Sequence, residues 1–194
     1  MLVDLPTGTL SEGYDGESRL PESQRKLMAL RAEALNLVAA RQAEIRRWSA
    51  YDEQWFGAIE LSARNLITTG LARMKDVLTS LTPANFIRYS PEAMRVVGCV
   101  SREHSVGTVA EVCAPDTATH TIAIRLDFCT LRPRHPRFDS QLLTLVHEVS
   151  HFTDVFGSLD HWYSTYNAKA QAKAQNPRTT ENADNIAGYI VCSE

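Results

Sequence analysis

One pattern in the chain could do chemistry by itself: His147-Glu148-Val149-Ser150-His151, an HExxH motif. Residues four apart on a helix lie one above the other on the same face. Two imidazoles so placed can hold one small cation, and imidazole nitrogen suits Zn²⁺, which takes bonds of about 2.0–2.1 Å in tetrahedral geometry. Glu148 stands beside the first imidazole and can reach a metal-held water without ligating the metal. By average composition the motif arises by chance in roughly one chain of this length in two hundred, so it needs support from its surroundings. The bland alternative is a charged stripe on a solvated helix. The apolar residues around the motif, Leu142, Leu143, Leu145, Val146, Val149 and Phe152, argue against it. Desolvating two histidines and a glutamate without a shared ion is costly.

A catalytic zinc needs a third protein ligand and an open fourth position. Downstream the chain offers Asp154, Asp160, His161, Glu181 and Asp184. Asp154 follows His151 on the same helix face but lies far down its axis. A chain turning back at Gly157-Ser158 could bring Asp160 under the metal, and His161 is its neighbour and rival. Spacing favours Asp160 only slightly.

These residues need a scaffold. Asp139 and Ser140 offer an N-cap to a helix running to about Val155, with Gly157 as terminator. Before it, Leu131-Arg-Pro-Arg-His-Pro-Arg-Phe138 is a loop broken by two prolines. Further upstream, Leu27, Leu30, Ala34, Leu35, Val38, Ile45 and Trp48 recur at three- and four-residue steps, the signature of a long amphipathic helix. A second helix is expected over about 51–67, ending before Gly70, and a third over about 71–82, stopped by Pro83. Residues 86–130 are rich in Val, Ile and Thr, with strands expected at Val96–Val100, Thr108–Cys113 and Thr117–Phe128. The alternation in the last suits a half-buried strand at or near a sheet edge. His120 falls within it and is read as structural.

Composition sets the class. The chain has 194 residues, 44% apolar and 22% charged, which fits one globular domain over 21–194 after a Gly-, Ser- and Asp-rich leader at 1–20. Twenty basic against 23 acidic residues give a formal charge of −3, which argues against a nucleic-acid partner. No apolar run approaches the length of a membrane span. Cys99, Cys113, Cys129 and Cys192 form no CxxC pair; one or two disulfides or buried thiols are the readings. The N-terminus lacks a basic and then apolar signal-peptide pattern. From that absence comes the expectation of a secreted or exported bacterial effector or toxin with a cognate inhibitor or immunity protein.

His147-Glu148-Val149-Ser150-His151-Phe152, followed by Gly157-Ser158-Leu159-Asp160-His161-Trp162-Tyr163, resembles the aspzincin metallopeptidases, the deuterolysin and peptidyl-Lys metalloendopeptidase group. In that family an Asp nine positions after the second His is the third zinc ligand, and Asp160 is nine after His151. Trp55-Phe56-Gly57 and Asn182-Ala183-Asp184-Asn185 also agree, so the resemblance spans about residues 25–190. Ser158 stands for the usual Thr, and Ser164 for the Gly after the tyrosine.

The resemblance implies an α+β zincin-like fold: a helical N-terminal half, a small mainly antiparallel sheet, and the HExxH helix beneath the cleft. It implies a zinc metalloendopeptidase acting on protein or peptide substrates. One Zn²⁺ is held by His147, His151 and Asp160, Glu148 is general base to a zinc-bound water, and Tyr163 stabilises the oxyanion. An extended substrate is expected beside an edge strand, with Thr117–Phe128 the candidate. In lysine-specific members two acids one helical turn apart line the pocket after the scissile bond. Here the first is Asp184 and the second position is Ala187, so strict Lys selection is expected to relax. Asp184 as a mere helix cap is the bland alternative. The rival functions are a zinc-stabilised module that binds without cleaving and a helical interaction protein using the 22–48 helix.

Overall fold

The computed structural model of the chain describes residues 21–100 and 107–193; the expected leader at 1–20 lies outside them. Helix α1, Glu22–Glu44, buries Leu30, Ala34 and Val38, one residue per turn along a single stripe. It stops at Glu44, short of Trp48. The chain then reverses, and Ser49 and Asp52 close a capping box that starts α2, Ala50–Phe56.

The break between the next helices is at Gly57, with φ 75°, and not at Gly70. Helix α3, Leu61–Ser80, runs straight through Gly70, where the Phe156 ring lies against its bare Cα. The glycine serves a close approach there, not a helix end.

Past Pro83 the chain forms β1, Phe86–Arg88, a strand with no separate signal in the sequence. Ser90 and Pro91 then start α4, Pro91–Val96, where a strand over Val96–Val100 was expected. The other strands are β2, Ala110–Val112, and β3, Ile122–Ile124. The sheet order is β1-β3-β2, with β1 parallel and β2 antiparallel to β3. The sheet is therefore mixed rather than mainly antiparallel, and β3 is its central strand rather than an edge.

The long alternation from Thr117 to Phe128 yields only three strand residues for a local reason. The Asp116 carboxylate accepts the backbone N–H groups of Thr119 and Thr121, which folds Thr117–Thr119 into a turn. His120 follows with φ 46°, and the chain coils again at Leu126–Thr130. One face of the sheet joins the main core through Phe86 and Ile122. The other covers a small cluster of Met94, Cys113 and Ala123, stapled by the Cys99–Cys113 disulfide. Cys129 and Cys192 are free thiols.

Helix α5, Gln141–His151, is the centre of the fold. It packs against α1, α3, β2 and the C-terminal helix α7, Ala183–Val191. Between them, α6, Thr165–Lys173, leans on α2 and α7. Every residue of α7 is buried. Among the described residues no helix is long and apolar enough to cross a membrane.

The α2–α7 contact makes one prediction. Gly188 of α7 lies flat against the Trp55 ring, and a Cβ there would collide with it. Both groups are in the core, so Gly188→Ala should destabilise the protein by about 1–3 kcal/mol through overpacking. Urea unfolding measures this; an unchanged midpoint would show that Trp55 can yield.

Candidate active site

The apolar stripe of α5 pulls the helix into the core and carries the polar residues of the motif with it. Ser140 caps the helix, its hydroxyl accepting from Leu143 N at 3.2 Å. Helix α5 ends at His151, four residues before the expected stop at Val155. Phe152 leaves the helical conformation, Gly157 turns at φ 59°, and Ser158 N donates back to Ser150 O at 3.1 Å. This reversal brings the 157–164 loop beneath the motif.

There His147 Nε2 lies 3.2 Å and His151 Nε2 3.5 Å from Asp160 Oδ1. The two imidazoles stand edge to face with centroids 4.8 Å apart. One ligand atom from each of the three residues falls within 4.8 Å of the others. Of the five acids and histidines that spacing left open, Asp160 is the one brought to the pair. His161 turns toward Glu181, 3.6 Å away, and Asp154 pairs with His120 at 3.0 Å.

The far side of each imidazole is also engaged. His151 Nδ1 lies 2.8 Å from the Ser158 carbonyl, which can only accept. Nδ1 therefore carries a proton, and Nε2 is the ring nitrogen turned toward Asp160. His147 Nδ1 lies 2.6 Å from Asp184 Oδ1, so Nδ1 donates there and Nε2 is the nitrogen turned to Asp160. Ser150 Oγ donates to His147 O at 2.6 Å and lies 2.6 Å from Ser158 Oγ, tying the helix end to the loop. Histidine ligands held from behind by a carboxylate or carbonyl are the usual supporting arrangement of a metal site.

Burial opposes the charged form of His147. The hydrogen bonds to Asp160 and Asp184 and the Glu148 charge prevail, so its pKa stands well above the ordinary imidazole value. Burial also works to raise Asp160, but the two imidazoles and the Tyr163 hydroxyl hold it below its usual value. Glu148 is 7% exposed, and burial keeps its carboxyl above the normal carboxylate range against the pull of both histidines. The protein groups thus draw positive charge into the cluster. Two imidazole nitrogens and one carboxylate oxygen fit a small, borderline-soft dication such as Zn²⁺.

Tyr163 is 63% exposed, with its hydroxyl on Asp160. Asp184, expected to face a substrate side chain, is turned inward. Its two oxygens meet His147 Nδ1 at 2.6 Å and Ser164 N at 2.5 Å. Ala187 is fully buried in the core. Position 187 therefore faces the core, and a glutamate introduced there would have to bury its charge.

The sequence reading missed the Ser150–Ser158 pair and the structural work of Asn182 and Asn185. Their signal was the placing of three polar residues at the head of the otherwise apolar stretch 183–191. Buried polar groups require partners.

A family model described as lysine-specific metallo-endopeptidase, the aspzincins, matches residues 42–191. The chain belongs to the aspzincin family. This makes it a peptide-bond hydrolase of the zinc metalloendopeptidase type. A zinc peptidase from Grifola frondosa has a similar fold, with a TM-score of 0.68 at 23% identity over 88% of this chain and 95% of that one. No curated protein matches significantly.

The geometry predicts which residues the metal depends on. Asp160→Ala should lose most of the zinc that the purified aspzincin carries, and His161→Ala should keep it, as measured by mass spectrometry of metal content. Full occupancy in the Asp160 variant would overturn the grouping.

Proposed function

We propose that this aspzincin cleaves internal peptide bonds of proteins with His147, His151 and Asp160 holding one zinc ion, Glu148 moving the proton and Tyr163 steadying the oxyanion. The observation that carries the reading is the convergence of His147 Nε2, His151 Nε2 and Asp160 Oδ1 within 4.8 Å on the helix that also bears buried Glu148. When bound, zinc supplies a Lewis acid that polarises the scissile carbonyl and activates water. Glu148 accepts the proton of the attacking water at its carboxylate and delivers it to the leaving amine. Its burial supports this role, since a carboxyl held above the ordinary range is a stronger base. Tyr163, largely exposed, rotates from Asp160 to donate to the developing oxyanion. His147 and His151 stay fixed because Asp184 and the Ser158 carbonyl hold their Nδ1 protons.

We propose also that selection of Lys after the scissile bond is relaxed. Asp184 is committed to His147 and Ser164, and Ala187 offers no charge, so no pair of free carboxylates remains at these positions for an ammonium. The edge strand beside α5 that would receive an extended substrate is β2 rather than the segment expected from alternation. The Cys99–Cys113 disulfide supports work in an oxidising compartment, in keeping with an exported protein.

Glu148→Gln should keep zinc and fold while turnover falls about 10²–10⁴-fold. Tyr163→Phe should cost roughly 10²–10³-fold in kcat. Hydrolysis of a denatured protein followed by mass spectrometry reads both. Wild-type rates in Glu148→Gln would refute the mechanism, and zinc-loaded wild type without any cleavage would favour a binding module. In the same digests the residue after each cut should include neutral and apolar types; cuts confined to Lys would refute the relaxed pocket.

A further inference from the structure

Asp160 sits in an irregular loop between Gly157 and Ser164, outside any helix or sheet. Its neighbours on both sides are nevertheless tied to one position. Leu159 forms an isolated parallel bridge with Asn182: Leu159 N donates to Glu181 O at 2.8 Å, and Ala183 N donates to Leu159 O at 3.0 Å. On the other side, His161 N and Trp162 N both donate to Asn182 Oδ1, at 3.0 and 3.2 Å. Asn182 is fully buried.

The orientation of that amide is itself determined. Asn185 Nδ2 donates to Trp55 O at 2.6 Å and Ala168 O at 3.0 Å, which forces Asn185 Oδ1 to the opposite side. That oxygen accepts from Trp162 Nε1 at 2.8 Å and from Asn182 Nδ2 at 3.0 Å. Asn182 must therefore present its nitrogen to Asn185 and its oxygen to the loop. Two main-chain carbonyls, on α2 and α6, thus set the direction of the oxygen that grips the residues after Asp160.

The geometry points to Asn182 as the positioning residue of Asp160: it holds the third ligand in place before any cation arrives, and so contributes to zinc affinity without touching zinc. This rests on the metal-site reading above. An irregular loop left free would have to be ordered at the moment of binding, which weakens affinity. Asn182 removes that cost in advance.

The test uses the full chain, Zn²⁺ and a competing chromophoric chelator, with no peptide hydrolysis. Asn182→Ala should weaken zinc binding about 10–100-fold, the usual effect of losing a residue that orients a metal ligand. Asn182→Asp keeps the oxygen that accepts from both N–H groups but loses the donor to Asn185 Oδ1, so its zinc affinity should fall between that of the wild type and that of Asn182→Ala. Leu78→Ala, a truncation in the buried face of α3, should lower stability yet bind zinc as the wild type does, which separates positioning from general loss of stability. In wild type stripped of metal, the amides of His161 and Trp162 should resist hydrogen exchange; fast exchange there overturns the proposal even if Asn182→Ala does not fold. Wild-type affinity in Asn182→Ala, with affinity lost in Asp160→Ala, overturns the proposal alone. Wild-type affinity in Asp160→Ala overturns the metal-site reading beneath it.

Discussion

The burial of one polar face of α5 is the constraint that the rest of the structure answers. The helix is apolar enough to occupy the middle of the core, and it takes His147, Glu148, Ser150 and His151 in with it. Groups of this kind are costly to desolvate without partners. Helix α7 and the 157–164 loop supply them: Asp184 behind His147, the Ser158 carbonyl behind His151, and Ser158 Oγ beside Ser150. Because each Nδ1 is satisfied from behind, both Nε2 atoms are left facing Asp160. The same hydrogen bonds that make the core tolerable thus fix the direction in which both rings present Nε2.

Helix α5 was legible from sequence because it depends on local signals: a Ser140 cap and a three-four apolar period. Asp160 was not separable from Asp154, His161, Glu181 and Asp184 by the same means. What separates them is the turn at Gly157 and the bridge that ties Leu159 to Asn182, 23 residues further along the chain, and no short-range pattern reports it. The misplaced helix break has a similar cause. Gly57 and Gly70 look alike as letters; Gly57 takes φ 75° at the end of α2, while Gly70 stays helical and leaves room for the Phe156 ring. In the sheet, the Thr117–Phe128 alternation was real, but Asp116 captured its first N–H groups and shortened the strand to three residues. Local hydrogen bonding outcompeted the period.

Asp184 shows how much of a residue's surroundings a motif leaves unsaid. The segment Asn182-Ala183-Asp184-Asn185 matched as a string, and the string alone suggested an acid aimed at a substrate. Its partners give it other work. One oxygen fixes His147 and the other takes Ser164 N, the residue joining Tyr163 to α6. Asp184 therefore spans the two halves of the site, the imidazole side and the tyrosine side. A substrate ammonium would compete with contacts of 2.6 and 2.5 Å that a buried carboxylate already makes.

That link accounts for the departure at Ser164. With φ 78° and ψ 143°, it occupies backbone space where glycine is at ease and other residues are strained. Such a conformation persists only where its surroundings over-determine it. Here Asp184 Oδ2 holds its N–H, its hydroxyl accepts from Asn167 N to cap α6, and Asn167 Nδ2 returns a bond to Tyr163 O. Two of these bonds are made by Ser164 itself and set against a strain of order 1–3 kcal/mol. Serine gives up the freedom of glycine and gains the cap, and Tyr163 is held at its carbonyl by Asn167 and at its hydroxyl by Asp160. The residue that departs from the family pattern thus joins Asp184, the start of α6 and the Tyr163 backbone in one set of hydrogen bonds.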